Sequence, residues 1–450
     1  MKKLFLGLFG LIGVCATTYS QTCNCYLNVD STYQIVPMPL GPHPGTAPLY
    51  QCGDCSSAAI PLPFSFCFYG KNYDTVYINA KGSISFQNPV FNFTNVGLPQ
   101  GRDTLTLDAF LADVYDSLTP GEIYYKISPT HLIVQWNTVG YQTFDCDLYD
   151  NFQVIITNGA DSILPAGNNV SYCYWLMKWA TGDSSGGSGG FFGVPAKVGT
   201  SEGDGVHFAQ FGAFDYHGYT YYGPFDTNSE LYWIDDKSFT FNTCVTGNII
   251  PPVLVNSDSC YVDTICAGDT LVFGTTFLCP QQGQTATITE SAPGLSVVTT
   301  DTISGNSLYH ITTQVVPVLA DTGTYKITVT ATDNSVPPLT NYKKYRIIVK
   351  NCDTAKKDTG SGINRISSNN NFSIYPNPNK GIFTVSMIKS LAGITGIEID
   401  NLLGEAVYTN TSAMNYTPLT IDLSSQPKGV YFIKIFSGGA MMGVNKVVIQ

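Results

Sequence analysis

Short runs in which apolar and polar side chains alternate recur along the chain, each closed by glycine, proline or asparagine. Pro63–Tyr69, Thr75–Asn79 and Ser83–Phe86 are of this kind, with Gly70 and Lys81-Gly82 between them. Glu122–Ile127, His131–Trp136, Phe152–Ile156 and Val170–Trp175 follow. Neighbouring side chains on a strand point to opposite faces, so a period of two marks a half-buried strand. The middle of the chain shows no convincing helical period. The fold class expected is therefore all-β, and the 28 Tyr, 25 Phe, 43 Gly and 25 Pro agree with it: aromatic side chains suit a pleated surface, and Gly and Pro make the turns.

At about 150 residues per domain, 450 residues allow three or four domains. A hydrophobic content of 44% supplies cores for them and excludes disorder throughout. The net charge of −11 argues against nucleic acid as a partner, because such binding needs a basic surface to displace counterions from phosphate.

Lys2 and Lys3, the apolar run Leu4–Val14 and the small residues after it have the layout of a secretory signal peptide over residues 1–20. Cleavage is expected between Ser20 and Gln21. The apolar run is far short of the roughly 20 residues of a membrane span, and no transmembrane span is expected. Cys15 follows Val14, a poor fit to an acylated lipoprotein cysteine. Removing it takes thirteen cysteines to twelve, an even number suited to an oxidising compartment. They fall into three groups: Cys23, Cys25, Cys52 and Cys55; Cys67, Cys146, Cys173 and Cys244; Cys260, Cys266, Cys279 and Cys352. All twelve are expected to be oxidised, mostly within their groups, with the connectivity open. The first group also has the composition of a four-thiolate zinc site, but export favours disulfides.

Residues 21–59 read as a Cys/Pro-rich N-terminal segment. Ile60-Pro-Leu-Pro-Phe-Ser-Phe-Cys-Phe-Tyr-Gly70 and Val76-Tyr-Ile-Asn-Ala-Lys-Gly-Ser-Ile-Ser-Phe86 then resemble the opening of the nidogen-type (NIDO) extracellular domain. The resemblance continues through Ala109–Val114, Gly121–Tyr125, Leu132–Trp136, Asn151–Val154, the Gly186–Gly193 stretch, Tyr232–Asp235 and Phe239–Asn242, covering about residues 60–243. Cys67, Cys146 and Cys173 depart from the family pattern. The resemblance implies an extracellular domain associated with cell–matrix contact, placed here at 60–250, and carries no catalytic residues.

Residues 251–352 read as a further β-sandwich. Asp321-Thr-Gly-Thr-Tyr325 resembles the turn of immunoglobulin-like domains in which the tyrosine hydroxyl caps backbone at a sheet corner. Ala331–Asn334 through Tyr345–Val349 fits a cadherin-like or bacterial adhesin repeat equally well. Residues 353–371 are polar and read as a linker. Residues 372–450 resemble the type A C-terminal sorting domain of the type IX secretion system, on Tyr375, Pro376, Asn377, Pro378, Gly381, Phe383, Leu403-Gly-Glu405, Gly429 and Tyr431. That resemblance implies a bacterium of the Bacteroidota, export across the outer membrane, the secretion machinery as a partner, and a second small β-sandwich.

Catalytic motifs are absent from the sequence. His43, His131, His207, His217 and His310 are scattered, and neither His-Glu-x-x-His nor Gly-x-Ser-x-Gly between strand and helix occurs. Gly186–Gly190 lacks the Lys and Ser/Thr of a phosphate loop and reads as a flexible surface loop. Phe208, Phe211, Phe214, Tyr216, Tyr219, Tyr221 and Tyr222 form the candidate binding surface, with His207 and His217 explained by packing or sugar stacking rather than metal ligation. Asp145, Asp147 and Asp150 are the calcium candidates, with Asp113 and Asp116 a second set, because calcium takes oxygen ligands; no other cofactor is expected. The chain thus reads as a secreted or surface-displayed, non-enzymatic adhesion or binding protein whose ligand is an extracellular protein or polysaccharide. The alternative is a glycan-binding accessory protein or hydrolase with a site built from loop carboxylates.

Overall fold

The computed structural model describes residues 26–41, 54–91, 98, 104–115, 122–141, 148–256, 262–296, 298–352, 372–375, 377, 379–387, 394–401, 405–410, 419–437 and 440–449. The signal peptide with Ser20 and Gln21, the cysteines Cys23, Cys25, Cys52, Cys146 and Cys260, and the aspartates Asp116, Asp145 and Asp147 lie outside them, as do Pro376, Pro378 and the expected linker. The described residues are nearly all strand and turn, as the alternation requires. They form two compact units, residues 1–354 and 355–450.

The first unit opens with β1 (Gln34–Ile35), β2 (Ile60–Phe68), β3 (Lys71–Asn79), β4 (Ser83–Ser85), β5 (Thr106–Leu111) and β6 (Val114–Tyr115). Then come β7 (Glu122–Ile127), β8 (His131–Tyr141), β9 (Asp150–Thr157), β10 (Val170–Leu176), β11 (Ala196–Ser201), β12 (Phe208–Tyr216), β13 (Ser229–Glu230) and β14 (Ser238–Phe241). It ends with β15 (Val253–Asn256), β16 (Val262–Cys266), β17 (Leu271–Leu278), β18 (Ala286–Ser291), β19 (Val298–Gly305), β20 (Leu308–Val315), β21 (Gly323–Asp333) and β22 (Thr340–Lys350).

One sheet runs β13-β12-β11-β5-β4-β3-β2, and a longer one runs β1-β7-β8-β9-β10-β14-β15-β17-β20-β19 with β6 added on β8. Between the first sheet and the β7–β14 half of the second lies an aromatic core that includes Phe66, Phe110, Trp136, Phe152, Tyr172, Trp179 and Phe211. Burying a large apolar side chain contributes roughly 1.5–3 kcal/mol. Three buried polar tips are satisfied across the sandwich: Trp136 Nε1 donates to Ala80 O (3.2 Å), Tyr172 Oη to Gly199 O (2.7 Å) and Tyr174 Oη to Ala109 O (2.6 Å). The N-terminal segment joins this core through Val36, Met38 and Cys55.

The expected boundary at 250/251 falls between β14 and β15, and the sheet runs across it. β15 pairs antiparallel with β14 on one edge and β17 on the other. Its alternation sends Val253 and Val255 into the aromatic core and Leu254 into a second core with Phe273, Phe277, Ile311, Ile327, Val329, Tyr345 and Ile347. That second core is closed by the sheet β16-β22-β21-β18. Tyrosine hydroxyls link its two sheets: Tyr345 Oη donates to Gly274 O (3.2 Å), and Tyr309 Oη accepts Ala286 N–H (3.0 Å). Tyr325, expected from the Asp321–Tyr325 motif to make such a cap, stands at the start of β21 at the edge of the core, with its ring beside Gly294.

Cys67–Cys244 and Cys266–Cys352 are disulfides, each within its expected group. Cys55 and Cys173 are also disulfide-bonded, to partners outside the described residues. Cys279 is a correction: it is a free, fully buried thiol. Cys266 and Cys352 of its group bond to each other, and Cys279 closes β17 inside apolar packing, its N–H bonded to Ser307 O (2.9 Å).

The second unit has β23 (Phe372–Tyr375), β24 (Ile382–Met387), β25 (Ile394–Asp400), β26 (Ala406–Asn410), β27 (Leu419–Asp422), β28 (Gly429–Ser437) and β29 (Ala440–Ile449). Sheets β23-β24-β27 and β26-β25-β28-β29 enclose Phe383, Val385, Ile397, Ile399, Ile421, Tyr431 and Ile433. The motif residues here are structural parts. Asn377 imitates a strand: its Nδ2 donates to Lys446 O (2.8 Å) and its Oδ1 accepts Val448 N–H (2.9 Å). Gly381 N–H donates to Asn379 Oδ1 (2.7 Å), and Tyr431 Oη donates to Pro427 O (2.6 Å).

Candidate functional site

The seven aromatics of residues 208–222 separate by depth. Phe211, Phe214 and Tyr221 are buried and leave the candidate surface. Phe211 packs on Tyr172, Phe239 and Phe241, and Tyr221 stacks on Trp233 with 4.1 Å between centroids, its Oη donating to Phe211 O (2.6 Å). Phe211 and Phe214 lie in the part of β12 that is covered on both faces, whereas Tyr221, beyond the strand, is held by its stacking on Trp233 and its hydroxyl bond. Phe208 is half-buried against Phe225, and Tyr216, Tyr219 and Tyr222 remain exposed.

Tyr216 and Tyr219 belong to a wider platform whose other members come from elsewhere. Phe192 is 57% exposed and meets Tyr216 edge-on at 5.4 Å and His217 at 5.8 Å. His217 Nδ1 lies 3.0 Å from Tyr232 Oη, and Tyr219 packs on Tyr232 at 5.5 Å. Lys178 Nζ sits 5.6 Å from the Tyr232 ring centre, within cation–π range.

Phe192 is held out by its loop. Its φ is +67°, a left-handed conformation that costs a bulky side chain on the order of 1–2 kcal/mol. The neighbouring backbone imposes it: Phe192 N–H donates to Asp215 O (3.3 Å) and Gly193 N–H to Asp215 Oδ1 (3.2 Å). Thr181 Oγ1 donates to the same carboxylate. The stretch expected as a flexible loop is in fact packed. Ala180 and Thr181 N–H both donate to Gly190 O (2.7 and 2.9 Å), and a Cβ on Gly190 would stand 2.9 Å from that of Trp179. Gly187, Gly190 and Gly193 serve close approach, and Gly186 and Gly189 take positive φ.

Beneath Tyr232 lie two carboxylates that shape the loop after β10. Asp235 Oδ1 accepts Met177 N–H (2.8 Å), and Asp150 Oδ1 accepts Lys178 and Trp179 N–H (2.6 and 3.2 Å). Burial raises the Asp235 carboxyl to about 7 and pushes Asp150 well above the usual carboxylate range. Burial also lowers Lys237 to about 8, its Nζ standing 5.0 Å from the Trp233 ring centre. Asp150, read from sequence as a calcium ligand, is fully buried beneath the platform. Asp113 is buried too, paired with Lys81.

Comparison with known proteins supplies the class. Residues 30–209 match the family described as NIDO related, and residues 373–450 match the secretion system C-terminal sorting domain. Alpha-tectorin of Mus musculus is 27% identical over 178 residues, and that of Gallus gallus 30% over 180. Each match covers 34% of this chain and 8% of the tectorin. Among solved structures, the tandem Ig repeats of Dlar match at 13% identity over 44% of this chain and 98% of theirs, at a TM-score of 0.18, too low to carry an argument. The sheets, the disulfides and the matched families define a multidomain all-β extracellular protein. It carries a NIDO-related domain followed by a type IX secretion sorting tail, and its place is outside the cell or on the outer surface. Among the described residues no helix is long and apolar enough to cross a membrane.

Proposed function

We propose that this is a non-enzymatic binding protein, delivered by the type IX route, whose NIDO-related region holds a neutral polysaccharide on the platform of Phe192, Tyr216, His217, Tyr219 and Tyr232. The observation that carries this reading is Phe192, a large apolar ring kept in water by a strained, tightly bonded loop. Nothing in packing requires that exposure, and strain persists where surrounding structure over-determines it. Flat ring faces beside hydrogen-bonding groups (Tyr hydroxyls, the His217 ring, Lys178) suit sugar rings, which present apolar faces and polar edges. The net charge of −11 disfavours acidic glycans. Asp150 and Asp235 support binding over hydrolysis, because Asp150 is fully buried, Asp235 is half-buried, and both are bonded to the backbone of the loop after β10. Residues 251–352 would hold this region away from its anchorage.

Affinity electrophoresis of the secreted protein in gels containing neutral polysaccharides tests the reading. At least one polysaccharide should retard it, Phe192→Ala and Tyr219→Ala should each weaken retardation several-fold, and no reducing ends should appear on incubation. Release of product would favour the hydrolase alternative. Retardation unchanged in both variants would remove the platform as the site.

A further inference from the structure

Away from the aromatic platform, the β11–β12 hairpin loop gathers three side chains that can ligate metal. Glu202, Asp204 and His207 each place a ligand atom so that all lie within 4.8 Å of one another. The loop is stiff. Glu202 N–H donates to His207 O (3.0 Å), and Val206 and His207 N–H donate to Asp204 Oδ1 (2.9 and 2.8 Å). Gly203, with φ +77°, lies so close to Thr104 that a Cβ would come within 2.2 Å of its carbonyl oxygen. The second Asp204 oxygen is thereby turned onto His207 Nδ1.

A separate observation points to a ligand. Glu202 Oε1 is buried without a hydrogen-bond partner. Tyr69, only 8% exposed, faces the same charges from the β2–β3 turn, its Oη turned to Thr200. Tyr73 Oη on β3 is buried and unpartnered. The charge of Glu202 acts on both hydroxyls, and that of Asp204 on Tyr69. Buried polar atoms almost always find partners, so unpaired oxygens beside a carboxylate–imidazole cluster mark a place for a cation or its bound water.

We propose that Glu202, Asp204 and His207 bind one divalent transition-metal ion of the zinc class within the β11–β12 loop. The imidazole selects the class: calcium and magnesium take oxygen, whereas zinc accepts nitrogen with carboxylate at about 2.0–2.2 Å. Two carboxylates and one neutral imidazole also cancel most of the ion's charge. Three protein ligands leave the fourth tetrahedral position to water.

The experiment uses the secreted, disulfide-intact protein after chelator treatment. Cobalt(II) is titrated in and followed by its visible d–d absorption, then displaced by zinc; calcium is titrated separately by calorimetry. One cobalt per chain with intense low-coordinate bands, displaced by zinc, is expected, with no saturable calcium binding here. His207→Ala should lose the bands and weaken zinc binding by at least tenfold, and Glu202→Gln should do the same if His207→Ala fails to fold. His217→Ala, on the platform, should leave them unchanged. Failure of the wild type to bind cobalt or zinc overturns the proposal, as does wild-type affinity in folded His207→Ala or Glu202→Gln, or loss only in His217→Ala. Saturable calcium binding abolished by Glu202→Gln but not by His207→Ala would overturn the assignment to zinc.

Discussion

Lys81 and Asp113 form an ion pair inside the aromatic sandwich, 3% and 4% exposed. Lys81 Nζ also lies 3.5 Å from Asp54 Oδ1, and Ser185 Oγ donates to Asp113 Oδ2 (3.2 Å). A buried pair gains little over a well-packed apolar pair, because desolvation offsets its attraction, but breaking it strands a charge. Lys81→Met keeps the volume of the aliphatic stem while leaving the Asp113 carboxylate without its cation. The expected cost is about 3–5 kcal/mol at neutral pH. Lys81→Met combined with Asp113→Leu removes both buried charges and leaves the Ser185 hydroxyl unpaired, a penalty of about 1–3 kcal/mol, while Asp54, which also loses Lys81, has its side chain exposed to solvent. The double variant should therefore be more stable than Lys81→Met alone. Urea unfolding at pH 7, followed by tryptophan fluorescence because Trp136 and Trp179 lie in the same core, measures both. A single variant within 1 kcal/mol of wild type (a limit set well below the expected range), or a double variant less stable than the single, would refute the reasoning.

Three further outcomes are expected. The Asp235 carboxyl is raised in the fold to about 7 from an ordinary 3.8, so the native state holds its proton more tightly than the unfolded chain. Its presence costs stability as pH rises from about 4 to 7, by up to about 4 kcal/mol, and Asp235→Asn should flatten urea midpoints across that window; an unchanged slope would contradict it. Burial pushes the Cys279 thiol up to about 12, so iodoacetamide at pH 8 should label it only after unfolding, and rapid native labelling would count against its burial. Deleting residues 372–450 should leave the first unit folded with its own two cores and hold it in the periplasm, and truncated protein at the surface would show that export does not need the tail.

Legibility in the sequence followed burial. β2, β21 and β22 were readable because one face is wetter than the other, as in the alternating burial of Leu62, Phe64, Phe66 and Phe68 on β2. β5 and β12 are covered on both faces, so nothing in their surroundings imposes a period of two; β8 and β9 are covered almost as fully and were read because Gln135 and Gln153 interrupt their apolar runs. The same double burial removed Phe211 and Phe214 from the expected surface, and stacking on Trp233 removed Tyr221. Phe192 was invisible for a different reason: its exposure depends on a positive φ set by Asp215, distant in sequence. Tyr232 was quoted for family likeness, yet its position under His217 and Tyr219 exists only once the chain after β14's predecessor, the short helix Leu231–Ile234, folds back. Cys279 defeated the parity argument, since evenness of a count says nothing about which thiols meet. The Glu202–His207 cluster was within six residues of sequence, but the buried carboxylate oxygen of Glu202 and the unpartnered hydroxyl of Tyr73 were legible only in three dimensions.

The strand shared by the two cores has a mechanical meaning. β15 is hydrogen-bonded along both edges, to β14 and to β17, so a pull along its axis loads two ladders in shear. Bonds in shear resist together, whereas bonds peeled from one end fail in turn. With a polysaccharide held on the platform as proposed, drag from moving liquid would load this joint. Force entering at Phe192 would then travel to residues 251–352 through continuous sheet rather than through a hinge, and the two cores would yield as one.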